Sequence, residues 1–125
     1  MNSKTYSVHQ VAQHFQVSPH TIRYYDSQHL FPEVARDEHG ARVFTQEQMD
    51  WLGMVLCLRS TGLSVAEIRR FVELAEKGPS TVRERYKIIL AQKRRAEAER
   101  AAIDHKLEIL ERKLAHYEKQ LPQSE

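Results

Sequence analysis

Between Ser18 and Tyr25 the chain reads SPHTIRYY, a run of hydrogen-bonding side chains on what its flanking signals make a short helix. The Thr21 hydroxyl and the Tyr24 and Tyr25 phenols suit phosphate oxygens, and the Arg23 guanidinium reaches a phosphate or the edge of a guanine. Ser18 and His20, at the front of the same run, join them as candidate DNA contacts. Further on, Arg36 and Arg42 flank a turn at Asp37–Gly40. There they either grip the DNA backbone beside the groove or pair with Asp37 and Glu38.

Other chemistry is thinly supplied. Cys57 is the only cysteine, which rules out an intramolecular disulfide and a multi-thiolate metal site within one chain. His9, His14, His20, His29 and His39 are scattered. His105 and His116 share one side of a predicted helix but stand roughly 16 Å apart, too far to hold one metal ion. No glycine-rich phosphate loop, paired catalytic carboxylates or local cysteine–histidine signature appears. The expectation is a protein that is not an enzyme and uses neither cofactor nor metal.

The elements that position the DNA-facing residues are well marked. Val8, Val11, Ala12 and Phe15 fall at i, i+3, i+4 and i+7, giving a first helix one apolar stripe. Ser18 is a good N-cap and Pro19 suits the first helical position of a second helix, which buries Ile22. A helix braced in this way by a preceding one can lie in a major groove. Capping boxes at Ser7/Gln10, Thr45/Gln48, Ser64/Glu67 and Thr81/Glu84 sign four helix starts. Helices are predicted near 7–15, 18–27, 45–60, 64–76 and 81–121, with Pro32, Gly62 and Gly78-Pro79 at the joints. Val34–Arg36 and Arg42–Phe44 read as the strands of a hairpin, a wing beside the helix-turn-helix.

The last helix carries a second signal. Val82, Tyr86, Ile89, Ala96, Ile103, Leu107, Leu110, Leu114, Tyr117 and Leu121 follow steps of four and three, interrupted by Lys93 and Arg100. That repeat is the seam of a coiled coil. Ile89, Ile103, Leu107, Leu110, Leu114, Tyr117 and Leu121 are therefore the candidate dimerisation residues. At 1.5 Å per residue the helix is roughly 60 Å long, too long to fold back on so small a domain. Its own domain can use the Val82–Ile89 end, but the far leucines need a second copy. Two recognition helices related by a two-fold axis read a pseudo-palindrome.

The organisation expected is a DNA-binding domain with two linking helices over 1–76, a dimerisation coiled coil over 80–121 and a disordered tail at 122–125. With 41% apolar residues a modest core is possible, and no run approaches the roughly 18 apolar residues of a membrane helix. The N-terminal MNSKTYSV lacks a secretory stretch, so the expected location is cytoplasmic, with no membrane partner. The net charge of +2 is only mildly basic. Up to residue 45, Lys4, Arg23, Arg36 and Arg42 are matched by Asp26, Glu33, Asp37 and Glu38, so bulk charge is silent and placement decides. The other class is a coiled-coil interaction adaptor that uses the helix-turn-helix only as a fold. Salt-sensitive binding to a palindromic duplex separates the two.

TIRYYD at Thr21–Asp26, the wing's Arg36, Gly40, Arg42 and Phe44, and the GLS of Gly62–Ser64 resemble the MerR family of bacterial transcription regulators over essentially the whole chain. The resemblance implies a mainly α fold, a winged helix-turn-helix DNA-binding domain followed by a long C-terminal coiled-coil dimerisation helix, with the coil antiparallel. It implies that Ser18, Thr21, Arg23 and Tyr24 face DNA, that Arg36 and Arg42 make wing contacts, and that Tyr25 is partly packed and partly near phosphate. Family dimers sit on promoters whose two recognition elements lie too far apart. An effector then makes the dimer bend and untwist the DNA for RNA polymerase, a deformation of several kcal/mol. Two positions depart from the family: Asp26 stands where Glu is usual. His29 stands where glycine commonly ends the second helix, and histidine tolerates left-handed geometry less well.

Members that hold metals by thiolates carry cysteines at the start of the dimerisation helix and in a C-terminal loop. Here those places read Gly78–Thr81 and Leu121–Glu125, without cysteine, and no C-terminal drug-binding domain is expected. Projected at about 100° per residue, Leu52, Val55 and Leu56 share the apolar face of the third helix, and Cys57 points away beside Gly53 and Met54. A lone cysteine there resembles the single-cysteine AdhR and NmlR branch, which responds to aldehydes and other electrophiles. That resemblance makes Cys57 the site attacked by formaldehyde, other carbonyls or nitrosative agents. The alternative is an inert packing thiol. Reactivity requires a nearby cation, for which Arg59, Arg69, Arg70 or a residue of a partner chain are candidates.

Overall fold

The computed structural model describes residues 4–123. Helix α1 (Val8–Phe15) opens on a reciprocal pair: Ser7 Oγ accepts the Gln10 N–H at 3.1 Å, and Gln10 Oε1 accepts the Ser7 N–H at 2.8 Å. The same box starts α3 (Gln46–Ser60) from Thr45/Gln48 and α4 (Val65–Glu76) from Ser64/Glu67. Between α1 and α2 (Pro19–Ser27) the chain reverses through Gln16 at φ 57°, and Ser18 caps α2 by accepting the Thr21 N–H.

The fourth expected box, Thr81/Glu84, does not form. Thr81 is buried, and a buried hydroxyl must find a partner. It donates to the Leu74 carbonyl, with that of Gly78 also within reach, and closes a single 3-10 turn over Pro79–Thr81. Arg85 Nε donates to the Thr81 hydroxyl at 3.1 Å and its Nη2 to the Gly78 carbonyl at 3.1 Å. Helix α5 (Val82–Glu118) continues from this turn, 37 residues or about 56 Å long.

α5 ends short of the expected residue 121. The amides of Gln120 and Leu121 bond back three residues, to Tyr117 and Glu118. Pro122 disfavours helical geometry at the residue before it. Leu121 therefore lies past the end of α5, a correction to the expected helix boundary at 121.

Three short strands, β1 (Thr5–Tyr6), β2 (Ala35–Arg36) and β3 (Arg42–Thr45), form an antiparallel sheet in the order β1-β3-β2. The β2–β3 hairpin is the expected wing, with Val34 outside the strand. Its turn is closed by Asp37, whose Oδ1 accepts the N–H groups of His39 and Ala41, while Gly40 takes φ 78°. β1 was not expected: two residues show no alternation for a period to reveal.

The core gathers Val11 of α1, Ile22 of α2, Leu30, Phe44 of β3, Leu52 and Val55 of α3, Leu63 before α4 and Ile68 of α4, all fully buried. The rings of Phe31 and Phe44 lie 6.0 Å apart. Gln48 is the buried polar link: its Oε1 accepts the Thr45 N–H, and its Nε2 donates to the Glu33 carbonyl at 2.6 Å. This amide ties the approach to the wing onto α3. His29 takes φ 59°, so the histidine adopts the left-handed geometry that a glycine would adopt freely.

Residues up to Ile89 form one compact unit and those from Leu90 a second. The first extends past the expected boundary at 76, because Ile88 of α5 packs half-buried against the core. The second is the remainder of α5 and the few residues after it. Met1–Ser3 and Ser124–Glu125, which include parts of the expected leader-free start and disordered tail, lie outside the described residues.

Candidate nucleic-acid interface

α2 buries Ile22 completely and Tyr25 to 9% exposure, one turn apart. That leaves His20, Arg23, Tyr24 and Ser27 exposed at i, i+3, i+4 and i+7, one continuous outward face. Thr21 is half-buried beside it, and its hydroxyl lies 3.0 Å from that of Ser18. Arg23 makes no hydrogen bond or ion pair among the described residues, so its guanidinium is free to meet an anion. Ser27, which the sequence reading omitted, sits at the far end of this face and donates to the Tyr24 carbonyl at 2.7 Å.

Tyr25 is the packed member of the expected set. Its ring belongs to the core, tilted against Tyr24 at 5.8 Å, and it reaches only the wall of a cleft beside α2. The same cleft is lined by His20, Thr21, Tyr24 and Arg59. Arg59 stands in the last turn of α3 and gives Nη1 to the Leu63 carbonyl at 3.0 Å, leaving an exposed cation next to the recognition face. Sequence reasoning weighed Arg59 only as a neighbour for Cys57. Nothing local could have placed it here, because the fold sets it beside a helix more than thirty residues earlier.

The wing arginines follow neither expected pairing. Arg36 is exposed and its Nη1 donates to the Gly40 carbonyl at 2.9 Å, across the turn. Arg42 turns inward: its Nε donates to Asp26 Oδ2 of α2 at 2.6 Å, with the two side chains 18% and 19% exposed. Asp37 is occupied by the turn's own amides, and Glu38 stands exposed beside His39 at 3.5 Å.

Cys57 is exposed on α3, away from the buried Met49, Leu52 and Val55. The three cations considered for it point elsewhere. Arg59 caps Leu63, Arg69 bonds twice to Gln28, and Arg70 faces Glu84 at 3.4 Å. Among the described residues no three of His, Cys, Asp and Glu converge on a metal-ligating arrangement. His105 faces Glu108 and His116 faces Gln120. Among the described residues no helix is long and apolar enough to cross a membrane.

On α5, Ile89, Ile103, Leu107, Leu110, Leu114 and Tyr117 are all exposed, as are Val82 and Tyr86 ahead of them. They mark the apolar stripe that the repeat predicts, uncovered in the single chain.

Residues 6–74, which hold this helix-turn-helix and the hairpin beside it, match the family model described as MerR HTH family regulatory protein. The chain belongs to the MerR family. An uncharacterised HTH-type transcriptional regulator of Haemophilus influenzae is 37% identical over 115 residues, covering 92% of this chain and 85% of the relative. AdhR of Bacillus subtilis is 32% identical over 89 residues, covering 71% of this chain and 64% of AdhR. Among solved structures, HiNmlR, a MerR family regulator lacking the sensor domain and bound to promoter DNA, superposes with a TM-score of 0.73. It is 37% identical, with 93% of this chain and 92% of HiNmlR covered. This MerR family member is thus a DNA-binding transcription regulator and not an enzyme.

Proposed function

We propose that the chain acts as a homodimer on a pseudo-palindromic promoter, in the cytoplasm, where it distorts an over-long spacer so that RNA polymerase can engage both elements. The observation that carries the DNA-facing part is the α2 face of His20, Arg23 and Tyr24, with Arg23 unpaired among the described residues. Ser18 and Thr21 at the helix start, Arg36 on the wing and Arg59 beside the cleft supply the surrounding backbone contacts. Tyr25 acts from behind, bracing the face. The likeness to HiNmlR, bound to promoter DNA, supports the same docking.

The exposed stripe of α5 supports dimerisation, since a helix this apolar along one line and charged elsewhere is stable only when the line is covered. Joining two heads doubles the bases read and makes the site a pseudo-palindrome. Exposure of Cys57, together with likeness to AdhR and HiNmlR, supports a response to reactive aldehydes or other electrophiles through this thiol. Arg59, Arg69 and Arg70 each bond elsewhere within the chain, which favours a residue of the second protomer as the activating cation.

Two experiments test this. Anisotropy titration of an inverted-repeat duplex should show strong, salt-sensitive binding, weakened by Arg23→Ala by about 1–3 kcal/mol if Arg23 reads a base. Unchanged affinity removes α2 as the reading helix. In cells, a promoter reporter should be induced by formaldehyde with the wild type and not with Cys57→Ser. Equal induction by both removes Cys57 from sensing.

A further inference from the structure

A winged reader contacts DNA at two places, the groove and the flanking backbone, so the angle between recognition helix and wing decides whether both fit at once. In this chain a single ion pair spans the two. Arg42 Nε of β3 meets Asp26 Oδ2 of α2 at 2.6 Å, and neither side chain is more than a fifth exposed. The nearer acids in sequence do not compete, since Asp37 holds the turn and Glu38 is exposed beside His39. On the other flank of α2, Arg69 of α4 gives Nε to the Gln28 carbonyl and Nη2 to Gln28 Oε1, both at 2.8 Å. Gln28 is the C-cap of α2. The end of the recognition helix is therefore fixed to α4, and the hairpin, held at its base by the buried Phe44 and by pairing with β1, meets the helix itself through the Asp26–Arg42 pair.

We propose that Arg42 is a positioning residue: through Asp26 it locks the wing to the recognition helix at one angle, so that groove and backbone are met by one rigid head. The inference rests on the reading of α2 and the wing as the DNA interface. It makes a prediction opposite in sign to simple electrostatics. If Arg42 were a phosphate contact, neutralising Asp26 would remove a negative charge near DNA and free a guanidinium, and binding would tighten. If the pair is a strut, neutralising Asp26 weakens binding.

The test uses the full chain and a duplex that the wild type selects from a randomised inverted-repeat pool, titrated over a salt series. A non-cognate duplex of the same length and a thermal melt accompany each variant. Asp26→Asn and Arg42→Gln are each expected to weaken cognate binding about tenfold, and the double variant no more than either alone, because both remove the same strut. Non-cognate binding and the slope of log K against log salt stay as in the wild type. Arg42→Lys keeps the charge and the fold but lacks the Nε donor, and is expected to lose affinity several-fold. Cognate affinity at or above wild type in Asp26→Asn or in Arg42→Lys overturns the proposal. So does a salt slope reduced by about one per protomer in Arg42→Gln, the mark of a lost phosphate contact. Arg23→Ala in the same series separates the two levels. Loss there without loss in Asp26→Asn refutes the strut alone, while no loss in either refutes the recognition face.

Discussion

Replacing Leu110 with alanine asks whether the stripe on α5 is a seam or only a run of apolar residues. Leu110 is 57% exposed in the single chain. Burying a whole leucine side chain is worth about 1.5–3 kcal/mol, so covering the exposed part contributes about 1–1.5 kcal/mol in each protomer. A symmetric dimer carries the substitution twice, for a loss of about 2–3 kcal/mol, which raises the dimer dissociation constant roughly 30- to 150-fold. The control is its neighbour Ile109, also exposed, at 37%, but one step off the seam. Steps of three and then four from Leu107 to Leu110 to Leu114 put Ile109 on the outer side of a two-stranded coil. Sedimentation velocity over a dilution series measures both variants against the wild type. Leu110→Ala is expected to dissociate at concentrations where the wild type and Ile109→Ala remain dimeric. Equal effects of the two substitutions, or none from Leu110→Ala, would refute the heptad argument, because burial without register does not distinguish adjacent positions.

Other outcomes follow from single residues. Arg36→Ala should weaken binding to cognate and non-cognate duplexes alike and lower the salt slope by about one per protomer, as for a backbone contact; a loss confined to the cognate duplex would assign Arg36 to base reading instead. His29→Gly relieves a left-handed residue that costs about 1–2 kcal/mol, against about 0.5–1 kcal/mol of added chain entropy in the unfolded state. Its melting temperature should therefore match or exceed that of the wild type, and a clear fall would mean that the imidazole makes a stabilising contact.

Legibility in the sequence followed the range of the interaction. Three capping boxes formed as expected because each is closed within four residues, and the exposed face of α2 was readable because helical period alone fixes it. Thr81 shows where the local rule fails. It carries the right partner three residues on, yet burial against α4 redirects its hydroxyl to Leu74. The Asp26–Arg42 pair joins residues sixteen apart on different elements, and Arg59 reaches the α2 cleft through tertiary packing. No pattern along the chain could have pointed to either. Tyr25 was half legible: its phenol suggested phosphate, but its place one turn after Ile22 put the ring inside. Leu121 fits the seam's numerical spacing but lies past the helix end, beside a proline that disfavours helical geometry at the residue before it.

The junction after α4 bears on how any signal would reach the DNA. Thr81, Arg85 and the Gly78 carbonyl knit the bend into a closed hydrogen-bonded knot, so it behaves as a welded elbow and not as a swivel. The start of α5, the end of α4 and, through Arg69, the C-cap of the recognition helix are thus joined by one run of hydrogen bonds, with no free hinge residue between them.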